Sequence, residues 1–249
     1  MIARASAVIS PRGVVRSLTS QPPITLRQVL DDNPSCATLC LVGSAAGPLA
    51  GDDLSLSISV QDGAISRLIA TGAMIAQGKG SSPALLRTRV SVGSAASLNA
   101  DPGPLIVCTG SAIDVLLEID LDENATLSWR EMVVLGRSDE PAGAARLRWN
   151  VRRTGRPLLR QSVDLTDAAR RCWPGMLHGK RVIFTELSVH PGREAQTVVH
   201  SPTAVTQRLA DDASLTTVLA DDAAEAVLTL TVLASQRRIA VPGQTELAG

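Results

Sequence analysis

The side chains best able to hold a cation or move a proton are carboxylates set in apolar surroundings, and two stand out. Glu131 lies inside Trp129-Arg-Glu-Met-Val-Val-Leu135, just before Gly136-Arg137. In an extended strand, alternation puts Glu131 on the face of Trp129 and Val133, so its carboxylate is expected to be partly buried. A buried acid needs a partner, and Arg137 is a nearby candidate. Asp52 ends the turn Gly47-Pro-Leu-Ala-Gly51. Glycines four apart let backbones approach closely, and Asp52 then caps the turn or points to a cavity. The structural alternative is that Asp52 merely closes its turn and that Glu131 is neutralised by an arginine.

The thiols and imidazoles offer less. Cys36 and Cys40 could give two thiolates from one helical face, but Ala37-Thr-Leu-Cys-Leu-Val42 reads as a strand, with both pointing into the core. With Cys108 and Cys172 they make four cysteines in 249 residues, too few and scattered for a disulfide framework, and are expected as reduced core thiols. His178, His190 and His200 match no metal-binding spacing and are expected at the surface or in turns. Gly72 to Gly80 resembles a phosphate loop, but five residues separate Gly72 from Gly78 and Gly80 stands where Ser or Thr is required. Ser44 is not centred between glycines as a nucleophile elbow demands. No catalytic constellation emerges.

The elements that must carry these residues are strands. Leu54, Leu56, Ile58, Val60; Leu86, Thr88, Val90, Val92; and Val115, Leu117, Ile119, Leu121 alternate with polar neighbours. Turn signals at Asp62-Gly63, Gly78-Lys-Gly80, Asp101-Pro-Gly-Pro104 and Asp122-Glu-Asn124 separate them. A repeat overlies the alternation: Ile58-x-Val60 is followed by Ala64, Val90-x-Val92 by Ala96 and Leu98, and Ile119-x-Leu121 by Ala125 and Leu127. Ser66 holds the place of the missing apolar residue. Units of this length suggest coils of a solenoid or β-helix. Helices are expected over 222–236, after the Asp221-Asp222 cap, and over Thr25–Asp31. The expectation is a mainly β, stacked-strand, β-helix-like single domain over 1–249 with about two short helices and a frayed tail at 240–249.

Composition narrows the function. Lys plus Arg and Asp plus Glu both total 24, so no electrostatic drive toward nucleic acid or membrane surfaces exists. Three Trp, one Phe and no Tyr leave little to stack on bases or sugars. The uncharged run from Asn33 to Gly51 is broken by prolines and glycines and is not a membrane span. The first residues lack the apolar core of a secretory signal, so a cytoplasmic location is the default.

Several of these segments, in order, resemble the UreD (UreH) family of urease accessory proteins. The residues that carry the resemblance are Ala46-Gly47 with Gly51-Asp52, Ala70-Thr71-Gly-Ala73, Pro104, Glu131 with Gly136-Arg137, Glu140, and Gly155-Arg-Pro157-Leu158. It runs from about Arg12 to Leu165 and is loose over 170–249. Ala46 departs from the family's glycine pair, and Ile75-Ala-Gln-Gly-Lys79 replaces a basic-aromatic segment. The resemblance implies a mostly β fold and a non-catalytic chaperone that bridges apo-urease to UreF and the GTPase UreG. It further implies nickel in transit through an internal tunnel, with no tightly bound cofactor, and Asp52, Glu131 and Glu140 as carboxylates along the path. Two rival readings are a hydrolase on a β-solenoid scaffold, with Asp and Glu as acid and base, and a β-rich scaffold for another complex.

Overall fold

A computed structural model describes residues 1–239, with side chains as far as Leu233. The tail expected at 240–249 lies outside the described residues. The strands are β1 (Ile2–Ser10), β2 (Val14–Thr19), β3 (Ile24–Val29), β4 (Cys36–Gly43), β5 (Asp53–Val60), β6 (Ile65–Ala70), β7 (Met74–Ala76), β8 (Ala84–Val92) and β9 (Ser97–Ala100). They continue with β10 (Pro104–Val107), β11 (Ala112–Leu121), β12 (Thr126–Leu135), β13 (Ala144–Arg153) and β14 (Arg156–Asp164). Helix α1 (Ala168–Cys172) precedes β15 (Val182–Val189), β16 (Val198–Ser201), β17 (Ala204–Ala210) and β18 (Ala213–Ala220), and α2 (Ala223–Ile239) follows.

The chain winds as a β-solenoid of about four turns. One sheet has seven strands in the order β14-β13-β11-β8-β5-β1-β2. The other has eleven, β16-β17-β18-β15-β12-β9-β6-β4-β3 with β10 and β7 beside that path. The repeat read from sequence is the rung of this solenoid. Ile58 pairs in register with Val90 and Val90 with Ile119, all parallel. On the opposite sheet Ser66 faces Leu98 and Leu98 faces Leu127. Ser66 keeps the phase because its hydroxyl donates to the Ala37 carbonyl at 3.0 Å, which satisfies a polar group in the buried interior. The rung extends to Ala7 and Val151, which the sequence pattern did not reveal.

The core lies between the sheets, filled by alternate residues of each strand. Antiparallel hairpins close the two ends of the stack, β1–β2 and β3–β4 at one, β13–β14 and β15 to β18 at the other. Pro157 fits the second end because β14 is an edge strand, where a missing N–H costs no ladder bond. Gly155, at φ +75°, makes the turn before it.

Three expectations are corrected. Thr25–Asp31 is not a helix: Ile24 and Leu26 alternate into the core and β3 pairs along β4, so tertiary pairing overrides the local pattern. The second helix is α1, capped by the Asp167 carboxylate accepting from Ala169 N–H. Cys36 is only half-buried, on the side of β4 away from the core face of Ala37, Leu39 and Leu41, whereas Cys40 is buried as expected. Cys172 is exposed rather than buried, while Cys108 is buried, and all four thiols are free. Helix α2 forms as expected, Asp222 accepting from Glu225 N–H at 2.8 Å while the Glu225 carboxylate accepts from Asp221 N–H at 2.7 Å.

Candidate functional site

The eleven-stranded sheet is interrupted at the same height in successive turns. β6 ends at Ala70 and β7 resumes at Met74; β9 ends at Ala100 and β10 resumes at Pro104. Pro102 and Pro104 make the second break, since proline cannot donate to a ladder. Strand β12 runs straight past it, paired with β9 as far as Trp129 and with β10 from Met132 onward. Arg130 and Glu131 thus have no parallel neighbour on that side. The layers still touch at the break: Gly103 has φ +79°, and a Cβ there would come within 2.8 Å of the Gly72 carbonyl.

Two cavities follow this seam. The first, about 220 Å³, is lined by Gly43, Ala45, Ala46, Gly47 and Leu54 and by Ala73 to Ile75 of the next turn. The second, about 50 Å³, is lined by Pro102 to Leu105, Leu56, Thr88, Trp129 and Glu131.

Glu131 is the acidic residue of the second cavity. Its Oε1 accepts from Trp149 Nε1–H at 2.9 Å. Trp149 reaches it from the opposite sheet, on the rung Leu56, Thr88, Leu117, Trp149. Oε2 accepts from no described residue, and Glu131 is one of the residues that line the cavity. Burial pushes the carboxyl up to about 7, against the Trp149 hydrogen bond, which lowers it. Near neutrality the group therefore exists in both forms, a neutral wall when protonated and a cation ligand when ionised. The Trp129 Nε1–H is buried without a hydrogen-bond partner and belongs to the same cavity wall.

Asp52 stands at the other end of the seam and is 4% exposed. Its Oδ2 accepts from Leu49 N–H at 2.9 Å, and its Oδ1 accepts from the Met1 amino group at 2.7 Å. Burial pushes this carboxyl up, but the amino group and the Leu49 N–H outweigh it and hold it below its ordinary value. Asp52 lies behind Gly47: a Cβ on that glycine would be 3.6 Å from Oδ2. Gly51 takes φ +78° in the same turn.

Glu140 is outside both cavities. It accepts from Arg137 three times, from N–H at 2.9 Å, Nε at 3.0 Å and Nη2 at 3.3 Å. These bonds hold its carboxyl down at about 2. Arg137 is thus the partner of Glu140, not of Glu131. Arg181 Nη2 donates to the Arg137 and Glu140 carbonyls, each at 2.6 Å, fixing the loop. Gly136 is required there: at φ +84° its Cβ would fall 2.6 Å from the Glu140 carbonyl oxygen.

Glu131 therefore lines one of the two neighbouring cavities, Asp52 lies behind Gly47 of the other without lining it, and Glu140 sits in a surface loop. Among the described residues, no three His, Cys, Asp or Glu side chains converge as a metal site. Sequence reasoning missed Thr88, Trp129 and Met74 as cavity residues and Trp149 as the donor to Glu131. Two of them carried a signal: Thr88 is the polar member of an apolar series, and Trp149 alternates inward with an N–H that needs an acceptor.

The family model described as UreD urease accessory protein matches residues 3–241. The chain belongs to the UreD family of urease accessory proteins. UreD 1 of Streptomyces griseus subsp. griseus is 36% identical over 155 residues, 61% of each chain, so that match spans less than two thirds of the relative. UreD of Streptomyces avermitilis is 34% identical over 88% of this chain and 92% of its own. UreD 1 of Saccharopolyspora erythraea is 37% identical over 72% and 71%. UreD proteins are non-catalytic accessories in urease maturation.

In this UreD chain, Trp149→Phe should keep the packing and delete the donor to Glu131. Removing a bond that favours the ionised form is expected to move the Glu131 carboxyl above about 7. A carboxyl-carbon NMR titration reads this directly, and an unchanged midpoint would show that the indole does not set the acid.

Proposed function

We propose that this chain bridges apo-urease to the UreF–UreG GTPase complex in the cytoplasm, and that nickel passes along its seam toward the urease active site. The supporting observation is Glu131: a part-buried carboxylate that lines a cavity adjoining a second one, with one oxygen held by Trp149. Nickel takes oxygen or nitrogen donors, and a conduit must use few of them so that the ion can leave. One carboxylate amid apolar walls fits transit, whereas storage takes a closed ligand set. Asp52 then acts at the flank, shaping the turn that walls the first cavity. Glu140 serves the Gly136–Pro141 loop and affects delivery only through it.

The test is reconstitution. Apo-urease, its accessory proteins and nickel are combined with and without this chain, and urease activity and bound nickel are measured on the repurified enzyme. Activation is expected only with the chain, and Glu131→Ala is expected to abolish it while the accessory complex still co-purifies. Full nickel loading without the chain would end the urease reading and favour the scaffold of another complex. Normal loading with Glu131→Ala would remove nickel from this route.

A further inference from the structure

The two cavities share two wall residues, Ile24 and Met74. Ile24 is a fixed wall. It is β-branched, fully buried, and held in a six-pair ladder between β3 and β4. Met74 differs in every respect. It is unbranched, with three rotatable bonds and a polarisable thioether. It opens the three-residue strand β7, whose ladder is the parallel one with β10. The loop before it includes Gly72, where a Cβ would meet nothing within 4 Å. Met74 also packs against both central apolar clusters, which places it at their junction.

We propose that Met74 is the movable partition between the two chambers, and that its side chain must swing aside for a divalent cation to pass from the Asp52 flank to Glu131. The inference rests on the reading of the seam as the nickel route, and adds the residue that sets the rate of passage. Alternative staggered rotamers of an unbranched chain differ little in energy, so a swing needs no backbone rearrangement. Neither neighbour at the partition offers a carboxylate: a thioether is a soft, weak ligand for nickel and a sec-butyl group is none. An ion therefore does not lodge between the chambers, and the oxygen it meets beyond Met74 is that of Glu131 or Thr88.

The experiment makes the partition reversibly bulky. Met74→Cys is introduced with Cys36→Ser and Cys172→Ser, which remove the half-buried and the exposed thiol. The accessory complex is treated with a bulky methanethiosulfonate, and nickel arriving in urease is followed over time before modification, after it, and after phosphine reduction and removal. Delivery is expected to stop on modification and return on reduction, a recovery that a misfolded chain cannot give. Modified chain, confirmed by mass, that delivers at the unmodified rate overturns the proposal. A second pair needs no labelling: Met74→Phe should slow delivery and Met74→Ala should speed it at equal complex yield, and equal rates overturn the proposal. Glu131→Ala run in parallel separates the two readings. If it blocks delivery while modified Met74→Cys does not, nickel bypasses the partition but still uses the second chamber. If it does not block, the route itself falls.

Discussion

Glu131→Gln is expected to remove a loss of stability that the native chain suffers as pH rises. The Glu131 carboxyl sits at about 7 in the folded protein against an ordinary 4.5. Between those values the folded state keeps a proton that the unfolded chain has released. The favourable contribution is therefore complete below the unfolded value and is lost as pH climbs through the folded one. The difference between native and Gln chains should change by about 3 kcal/mol between about pH 4 and about pH 8, the native chain being relatively weaker at the higher pH. Asp31, Asp52, Asp164 and Glu140 are shifted down and act with the opposite sign at low pH. Both chains share them, so they cancel in the difference. Urea unfolding of both proteins across this range measures it, and parallel stability curves would mean that Glu131 is not desolvated.

Leu98→Ala should be the more damaging change at every pH. Leu98 is 1% exposed and sits mid-rung between Ser66 and Leu127, with a layer on either side. Deleting a buried leucine side chain between fixed layers leaves a hole that backbone ladders cannot collapse, a cost of about 2–5 kcal/mol. Ser66→Ala on the same rung removes one hydrogen bond from a small side chain, about 1 kcal/mol. Thermal and urea unfolding of the two variants should separate them clearly. Equal effects would mean that the rungs are not the unit of packing.

Much of the fold could be read in the chain because a solenoid repeats its own instructions. Ile58, Val90 and Ile119 carry the phase locally, and parallel pairing simply stacks it. The end layers were not legible: Ala7 joins the rung through a longer segment, and beyond Val151 the charged Arg153 stands where Leu121 continues the apolar pattern. Thr25–Asp31 failed because an isolated stretch does not reveal that apolar β4 awaits it. The site was legible only in part. Alternation put Glu131 inside, but its partner Trp149 lies on another strand and another sheet, joined to it only by folding. The nearer Arg137 was the natural sequence choice, and Glu140, three residues on, had already claimed it. Met74 had no signal, because a methionine in a strand reads as filler until the space around it is known.

The end hairpins bear on how the molecule comes together. β13 turns into β14 through Arg153 opposite Arg156, and β17 into β18 through Ala210 opposite Ala213, so each closes a loop of a few residues. Each interior rung must instead bring together positions such as Ile58 and Val90, a loop of about 30 residues whose closure entropy is about 2 kcal/mol greater. Chain statistics thus favour forming the termini of the stack before its middle layers. Assembly then resembles closing a zip whose two stops are set first, and the seam is among the last features to take its final dimensions.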